Sequence, residues 1–445
     1  MHVRFIQHTS ALRNWLKKRP LALLVLLLAS GLLLRALPYK NTIIGFDQVQ
    51  ILESADKIRS GDFTLIGPRT GPAQMFTGPL IYYWSVPFLL LIGDLATVVL
   101  VPLTISLITG LAIYFLIRTY VGKDEALLST TIWAFSPFLI GLDRIFWNPK
   151  LMLLAAALLY FPLLDSKKSR YSALLLAIGS FISYQAHFSG FLLIGLAIGA
   201  IIFTTRSIKL VLAVLFGLLL SVLPTVLFDL RNNFLNAQGA LALMSSRDSV
   251  AVTTVPQQML KTIRIPAELI GSLFFKGSSY ELLMAIGIIA IGLGFFFAQH
   301  HRQIRIPLSW IAITIIIFSL YRDEKPEYYF LLLIPAFLHL VWFLLPKIGA
   351  TALKVFLFIV IVSSVGLAMN QYQSRGGMSI IALQKIHLYL QQQPVKQIVY
   401  DVALKDEFGV KYYFKKYPLT ENGSIVHIAY PNDATFAGVV AFQNV

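Results

Sequence analysis

A chain of 445 residues that is 57% hydrophobic and only 13% charged is not a soluble globular protein. Its apolar residues fall in runs nearly free of charge, too long and continuous for barrel strands, which leaves a polytopic helical membrane protein. The net charge of +16 follows the alternation of a membrane topology rather than forming a nucleic-acid surface, and the absence of cysteine excludes disulfides and thiolate metal sites.

Residues 1–19 are a basic N-terminus. The apolar run after them ends in Arg35-Ala36-Leu37-Pro38 with no small-residue cleavage site, so it is expected to stay as a first helix. Further runs lie near 95–117, 126–142, 149–164, 171–185, 187–204, 208–228, 281–298, 306–320, 328–345 and 350–369. With the first at 20–37 that makes about eleven spans. Residues 79–92 are a shorter run interrupted by Pro79 and Pro87 and are taken as juxtamembrane.

Lys and Arg orient the bundle. With the N-terminus in the cytoplasm, the inner segments carry Arg4, Arg13, Lys17, Lys18, Arg19, Arg118, Lys123, Lys167, Lys168, Arg170, Arg206, Lys209, Arg302, Arg305, Lys347 and Lys354 against three carboxylates. The outer loops 38–94, 143–148, 185–187, 229–280 and 321–327 are mixed in sign. An odd number of spans places residues 370–445 outside. There a helical pattern at 380–390 and strand-like runs at 397–400, 424–429 and 438–442 predict a small α/β domain of roughly 70 residues, resting on the outer face of the bundle. No Walker loop or dinucleotide fingerprint occurs.

The unusual polar clusters all fall at outer ends of spans, which implies a cavity opening outward. Asp47, in the first outer loop, starts a helix. It reads either as a base that accepts a proton from a hydroxyl or amine, or as a helix cap. Glu53, about two turns on, is a possible second carboxylate or a solvated one. Asp143-Arg144 is either a local ion pair or a phosphate-binding arginine beside a cap. Arg35 is expected to snorkel to the headgroups. His187 is a structural histidine or a substrate contact. His300-His301 is read as a basic flank. The dense cluster Arg322, Asp323, Glu324, Lys325, Glu327 precedes Tyr328-Tyr329, which an aromatic belt explains.

The segments Ala55-Asp56-Lys57-Ile58-Arg59-Ser60-Gly61-Asp62, Gly78-Pro79-Leu80-Ile81-Tyr82-Tyr83-Trp84, Arg144-Ile145-Phe146-Trp147-Asn148-Pro149, Gln185-Ala186-His187 and Glu327-Tyr328-Tyr329-Phe330 follow Asp47 in one order and on one side. Together, over about 20–345, they resemble the GT-C glycosyltransferases. The most similar groups are the bacterial protein O-mannosyltransferase and aminoarabinose-transferase-like enzymes, including the RgtA-like group. The resemblance implies an all-α GT-C-like platform in the plasma (inner) membrane. It also implies transfer of a sugar from a polyprenyl-phosphate donor to an extracytoplasmic lipid, glycan or protein. Asp47 maps onto the family's base, although this chain has Asp47-Gln48 where the family commonly has Asp-Glu.

The leaving phosphate needs cations at the outer boundary. Arg144 and Arg322 are the expected ones, with Arg231 and Lys325 behind them. Tyr82, Tyr83, Trp84, Asn148, Gln185, His187 and Glu324 are the expected pocket walls. The sequence assigns no cofactor, and a divalent metal on Asp47 and Glu53 stays open. The expected partners are the lipid-linked donor, the acceptor and membrane lipids, with no nucleic acid. Two other functions compete: a flippase or transporter for a lipid-linked glycan, and a non-catalytic subunit of a surface-polymer complex.

Overall fold

The computed structural model describes residues 20–70, 75–165, 167, 169–245, 255–275, 287–289, 291–294, 302–321, 325–348, 350–373, 379–402, 404–430 and 439–441. Helix α1 (Pro20–Ala36) is followed by α2 (Phe46–Arg59), a short antiparallel pair β1 (Arg69–Thr70) and β2 (Met75–Phe76), then α3 (Leu80–Ile92) and α4 (Asp94–Tyr120). Gly93 separates the last two at φ 78°, a left-handed turn that glycine takes without steric cost.

The run 126–142, expected as one span, is two helices, α5 (Lys123–Phe135) and α6 (Pro137–Leu142). Ser136 breaks it: its hydroxyl accepts the Leu139 N–H at 3.3 Å, and Pro137 takes the first helical position. Helix α7 (Leu151–Leu164) is buried at every residue from Leu151 to Leu163, as an apolar-all-round helix must be when others surround it. Around it stand α8 (Ser172–Ala186), α9 (Ser189–Thr204) and α10 (Ile208–Arg231). Helices α8 and α10 approach closely because Gly217 has no side chain: a Cβ there would strike the Ala177 carbonyl.

The outer stretch 229–280, left without structure in the sequence reading, holds α11 (Leu235–Ser245) and α12 (Val255–Ser272). Helix α12 buries Gln258, Thr262, Pro266 and Leu269, a helical spacing with polar residues between, so no long apolar run marks it. Helix α13 (Arg302–Leu320), a 3-10 segment Glu327–Leu333, α14 (Ile334–Ile348) and α15 (Ala350–Gln373) complete the bundle. The run expected over 281–298 lies mostly outside the described residues. Among the described residues three helices are long and apolar enough to cross a membrane, Asp94–Tyr120, Ile208–Arg231 and Glu327–Leu344, beside eight shorter apolar ones.

The C-terminal segment comprises α16 (Ile380–Leu390), β3 (Val395–Val402), α17 (Leu404–Phe414), β4 (Ser424–Tyr430) and β5 (Val439–Ala441). Its strands are parallel in the order β3-β4-β5, with Val399 opposite His427 and His427 opposite Val439.

A buried ionic cluster joins the end of α1 to α4 and to the turn after α6. Asp143 Oδ2 accepts from Arg35 Nε at 2.9 Å and from Ser106 Oγ at 2.5 Å, while Lys150 Nζ lies 3.4 Å from Oδ1 and donates to the Asp143 carbonyl. Arg35, 2% exposed, also donates to the carbonyls of Gly31, Ala134 and Trp133 and lies over the Trp133 ring. It therefore turns inward rather than snorkelling, because a carboxylate and three carbonyls await it there. Asp143 does not pair with its neighbour Arg144, which donates instead to the Pro38 carbonyl at 3.1 Å.

Removing Asp143 strands two cations in a dry interior. Asp143→Ala should lower stability by about 3–5 kcal/mol, read as a large fall in Tm in detergent. Asp56→Ala, which breaks only the surface pair with Arg59, should cost within about 1 kcal/mol.

Candidate active site

Residues 42–48 lead into α2. Gly45 is its N-cap, and the Gln48 side chain accepts the Gly45 N–H at 2.9 Å, closing half of a capping box. The other end of the same amide donates to the Phe146 carbonyl at 3.0 Å, so Gln48 ties the helix start to the 143–148 turn. Capping is thus done by Gly45 and Gln48, and Asp47 stands in the first turn with no cap hydrogen bond. Its residue surface is open, yet nearby atoms remove enough water from the carboxyl to push its pKa above the usual carboxylate value. Tyr82 on α3 and Tyr328 on the 3-10 segment lie within electrostatic range of Asp47.

Tyr328 gathers the rest. Trp147 meets it edge-on at 4.8 Å and His187 at 5.4 Å, and His187 also packs on Tyr329 at 4.6 Å. His187 Nδ1 accepts the Ser189 backbone N–H at 3.1 Å, which leaves the ring proton on Nε2. His187 is only 5% exposed. Trp147 Nε1 and Gln50 Oε1 are buried without a partner among the described residues. Five separated segments thus bring a carboxylate, two phenols, an imidazole and an indole into one neighbourhood. Sequence reasoning assigned Tyr328 to an aromatic belt, and nothing in a Tyr-Tyr pair distinguishes the two roles.

Other expected site residues are engaged elsewhere. Gln185 accepts the Leu80 N–H at 3.0 Å and donates to the carbonyl and hydroxyl of Ser221, so both ends of its amide hold α3 and α10 to α8. Asn148 donates to the Ala186 carbonyl at 2.7 Å and to Thr77 Oγ1 at 3.4 Å, fixing the turn that carries Trp147. Asp229, in the polar cluster at the end of α10, caps α11 by accepting the N–H groups of Asn236 and Ala237. Glu53 faces the C-terminal segment, 3.9 Å from Lys415 Nζ. Tyr83 donates to the Thr64 carbonyl at 2.9 Å, and Trp84 is half-buried against the core. Lys325 donates to Gln258 Oε1 at 3.4 Å. Arg322 and Glu324 lie outside the described residues.

Two hollows flank the cluster. A cleft of about 370 Å³ between α2, the 62–66 loop and the outer end of α10 is lined by Ser54, Lys57, Asp62, Thr64, Phe228 and Arg231. A larger groove of about 840 Å³ lies between α9 and α13, lined by Phe191, Leu196, Trp310, Ile317 and, at the inner end, Thr204 and Arg305. Gly195 and Gly199 face open space there, since an added Cβ would meet nothing within 4 Å. Its outer end adjoins the His187–Tyr329 contact through Phe188, which stacks on Phe191, and Phe318, 5.9 Å from Tyr329.

Glu53 Oε1 lies 3.9 Å from Lys415 Nζ, and among the described residues no three His, Asp or Glu side chains gather to hold a metal ion.

No protein-family profile matches the chain, and no curated protein matches it. Solved structures do. The ArnT structure from Cupriavidus metallidurans bound to undecaprenyl phosphate is similar at 15% identity with a TM-score of 0.57, over 90% of this chain and 85% of ArnT. Apo ArnT gives 0.59 at 14% identity, over 94% and 86%. The Archaeoglobus fulgidus oligosaccharyltransferase complexed with zinc and sulfate gives 0.52 at 14% identity, over 92% of this chain and 62% of its own. At such identities the likeness is one of architecture, and the fold of this chain is the GT-C fold of membrane glycosyltransferases.

Proposed function

We propose that this protein transfers a sugar from a polyprenyl-phosphate carrier to an acceptor outside the membrane, with Asp47 as general base. The observation that carries the reading is the packing of Trp147 and His187 on Tyr328, with Asp47 within electrostatic range of Tyr328 and Tyr82, beside an apolar groove between α9 and α13. A carrier lipid cannot leave the bilayer, so its sugar must be met from between helices. The α9–α13 groove suits a prenyl chain, and the bound undecaprenyl phosphate of ArnT makes such a ligand reasonable for this fold.

In the proposed step an acceptor hydroxyl or amine attacks the anomeric carbon. Its proton passes to Asp47 Oδ, and the bond from that carbon to the phosphate oxygen breaks, leaving polyprenyl phosphate. Attack opposite the phosphate inverts the centre. Arg144, on the turn beside Trp147, is the first proposed phosphate cation, with Lys325 and Arg322 of the 321–327 segment as further ones. His187 Nε2–H and the Trp147 indole N–H are proposed to donate to sugar oxygens. Arg231 belongs to the cleft at the outer end of α10, which suits the acceptor better than the donor phosphate. No step is routed through a metal. The reading includes eleven spans in the plasma membrane, the N-terminus inside and residues 370–445 as an outer domain.

The inner end of the groove, at Thr204 and Arg305, favours a second reading in which the carrier is moved across the bilayer without bond cleavage. Purified protein in lipid, supplied with polyprenyl-phosphate sugars and an acceptor extract, decides between the two: transfer demands release of sugar, and translocation shows none.

Asp47→Asn should lower sugar release by about 10²–10⁴-fold while carrier binding persists. The base must be ionised and burial raises its pKa, so activity should fall on acidification at a pH above the ordinary carboxylate range. A pH–rate profile reads that limb directly. Gly195→Leu and Gly199→Leu fill open space, so they should leave Tm unchanged and raise KM for the carrier severalfold.

A further inference from the structure

The residues immediately before Asp47 have no regular structure of their own to hold them. They are held from outside by the C-terminal segment, through backbone contacts. The Ile380 N–H donates to the Thr42 carbonyl at 3.0 Å, and Ile43 and Ser379 form an antiparallel bridge. Helix α17 crosses at Gly409, where a Cβ would strike the Ile44 carbonyl and stand 2.8 Å from its carbon. Phe408 meets Phe46, the neighbour of Asp47, edge-on at 4.9 Å. Two side chains anchor α17 itself: Tyr412 donates to Asp94 Oδ2 at 3.0 Å, and Lys415 reaches Glu53.

We propose that residues 379–380 and 404–415 are a positioning element for Asp47, acting through residues 42–46, with Gly409 as the positioning residue. The opposite side of the helix start is tied to the bundle by Gln48 on Phe146. Asp47 therefore sits where two bodies meet, and its place depends on how closely α17 approaches. Glycine at 409 sets that approach at backbone contact; any side chain pushes the segment away. This rests on Asp47 being the base, but the displacement itself does not.

The test uses the full chain in detergent, comparing wild type with Gly409→Ala, Phe408→Ala and, as a control remote from α2, Gln391→Ala. One readout is sugar release with kcat and KM separated. The other needs no donor: pH-dependent labelling of Asp47 by a water-soluble carbodiimide with glycinamide, followed by peptide mass spectrometry. Gly409→Ala should lower kcat by about 10²-fold with KM for the carrier little changed, and should shift the pH midpoint of Asp47 labelling. Phe408→Ala, at an exposed contact that leaves the core intact, should move both in the same direction by less, which keeps the test available if Gly409→Ala fails to fold. A wild-type labelling midpoint in both variants overturns the proposal, as does a kcat reduced no further than in Gln391→Ala. A shifted midpoint in a protein that releases sugar from no donor supports the positioning element and removes the transferase reading.

Discussion

Asp143 is the residue that ties α1, α4 and the entrance to α7 together. One carboxylate answers a guanidinium from α1, a hydroxyl from α4 and an ammonium at the entrance to α7. Each of these ions is costly to desolvate alone, and together they leave one net positive charge in a dry interior. Their mutual attraction and the carbonyls around Arg35 offset that cost only in this geometry. The turn 143–148 is therefore fixed, and with it Arg144, Trp147, Asn148 and the Phe146 carbonyl that receives Gln48. The cluster is a structural device, but the site inherits its precision.

Much of this architecture was readable from the chain. Apolar runs mark helices because a spanning segment has no other way to satisfy its backbone, and most of the expected runs have a helix. The helix at 380–390 and the strand-like runs after it were visible as changes of period. The failures have separate causes. Hydropathy does not register Ser136 as a break, because one capping hydroxyl hardly lowers the mean of its window. The amphipathic α12 is too polar for a span and too regular for a loop.

The site was legible by residue type more than by partnership. Asp47 and His187 stood out as ionisable groups at span ends, and both lie in the cluster. Gln185 stood out equally and is spent on protein. Glu53 seemed a companion to Asp47, but six residues along a helix turn it well away from the first position, toward Lys415. Arg35 and Asp143 are 108 residues apart, and no local pattern announces such a pair. Gln48 is instructive in another way. A glutamate there could accept from Gly45 but could not donate to Phe146, so the neutral amide is what the two-sided contact requires.

The groove between α9 and α13 is lined mostly by apolar residues, and Gly195 and Gly199 leave its wall smooth. If a carrier lipid occupies it, the spent phosphate departs by sliding into the surrounding leaflet. The bilayer is then a reservoir that exchanges one reactant and receives one product in two dimensions. Turnover would be tied to lateral diffusion and to the crowding of the leaflet, while the second reactant approaches from a separate cleft and a different phase.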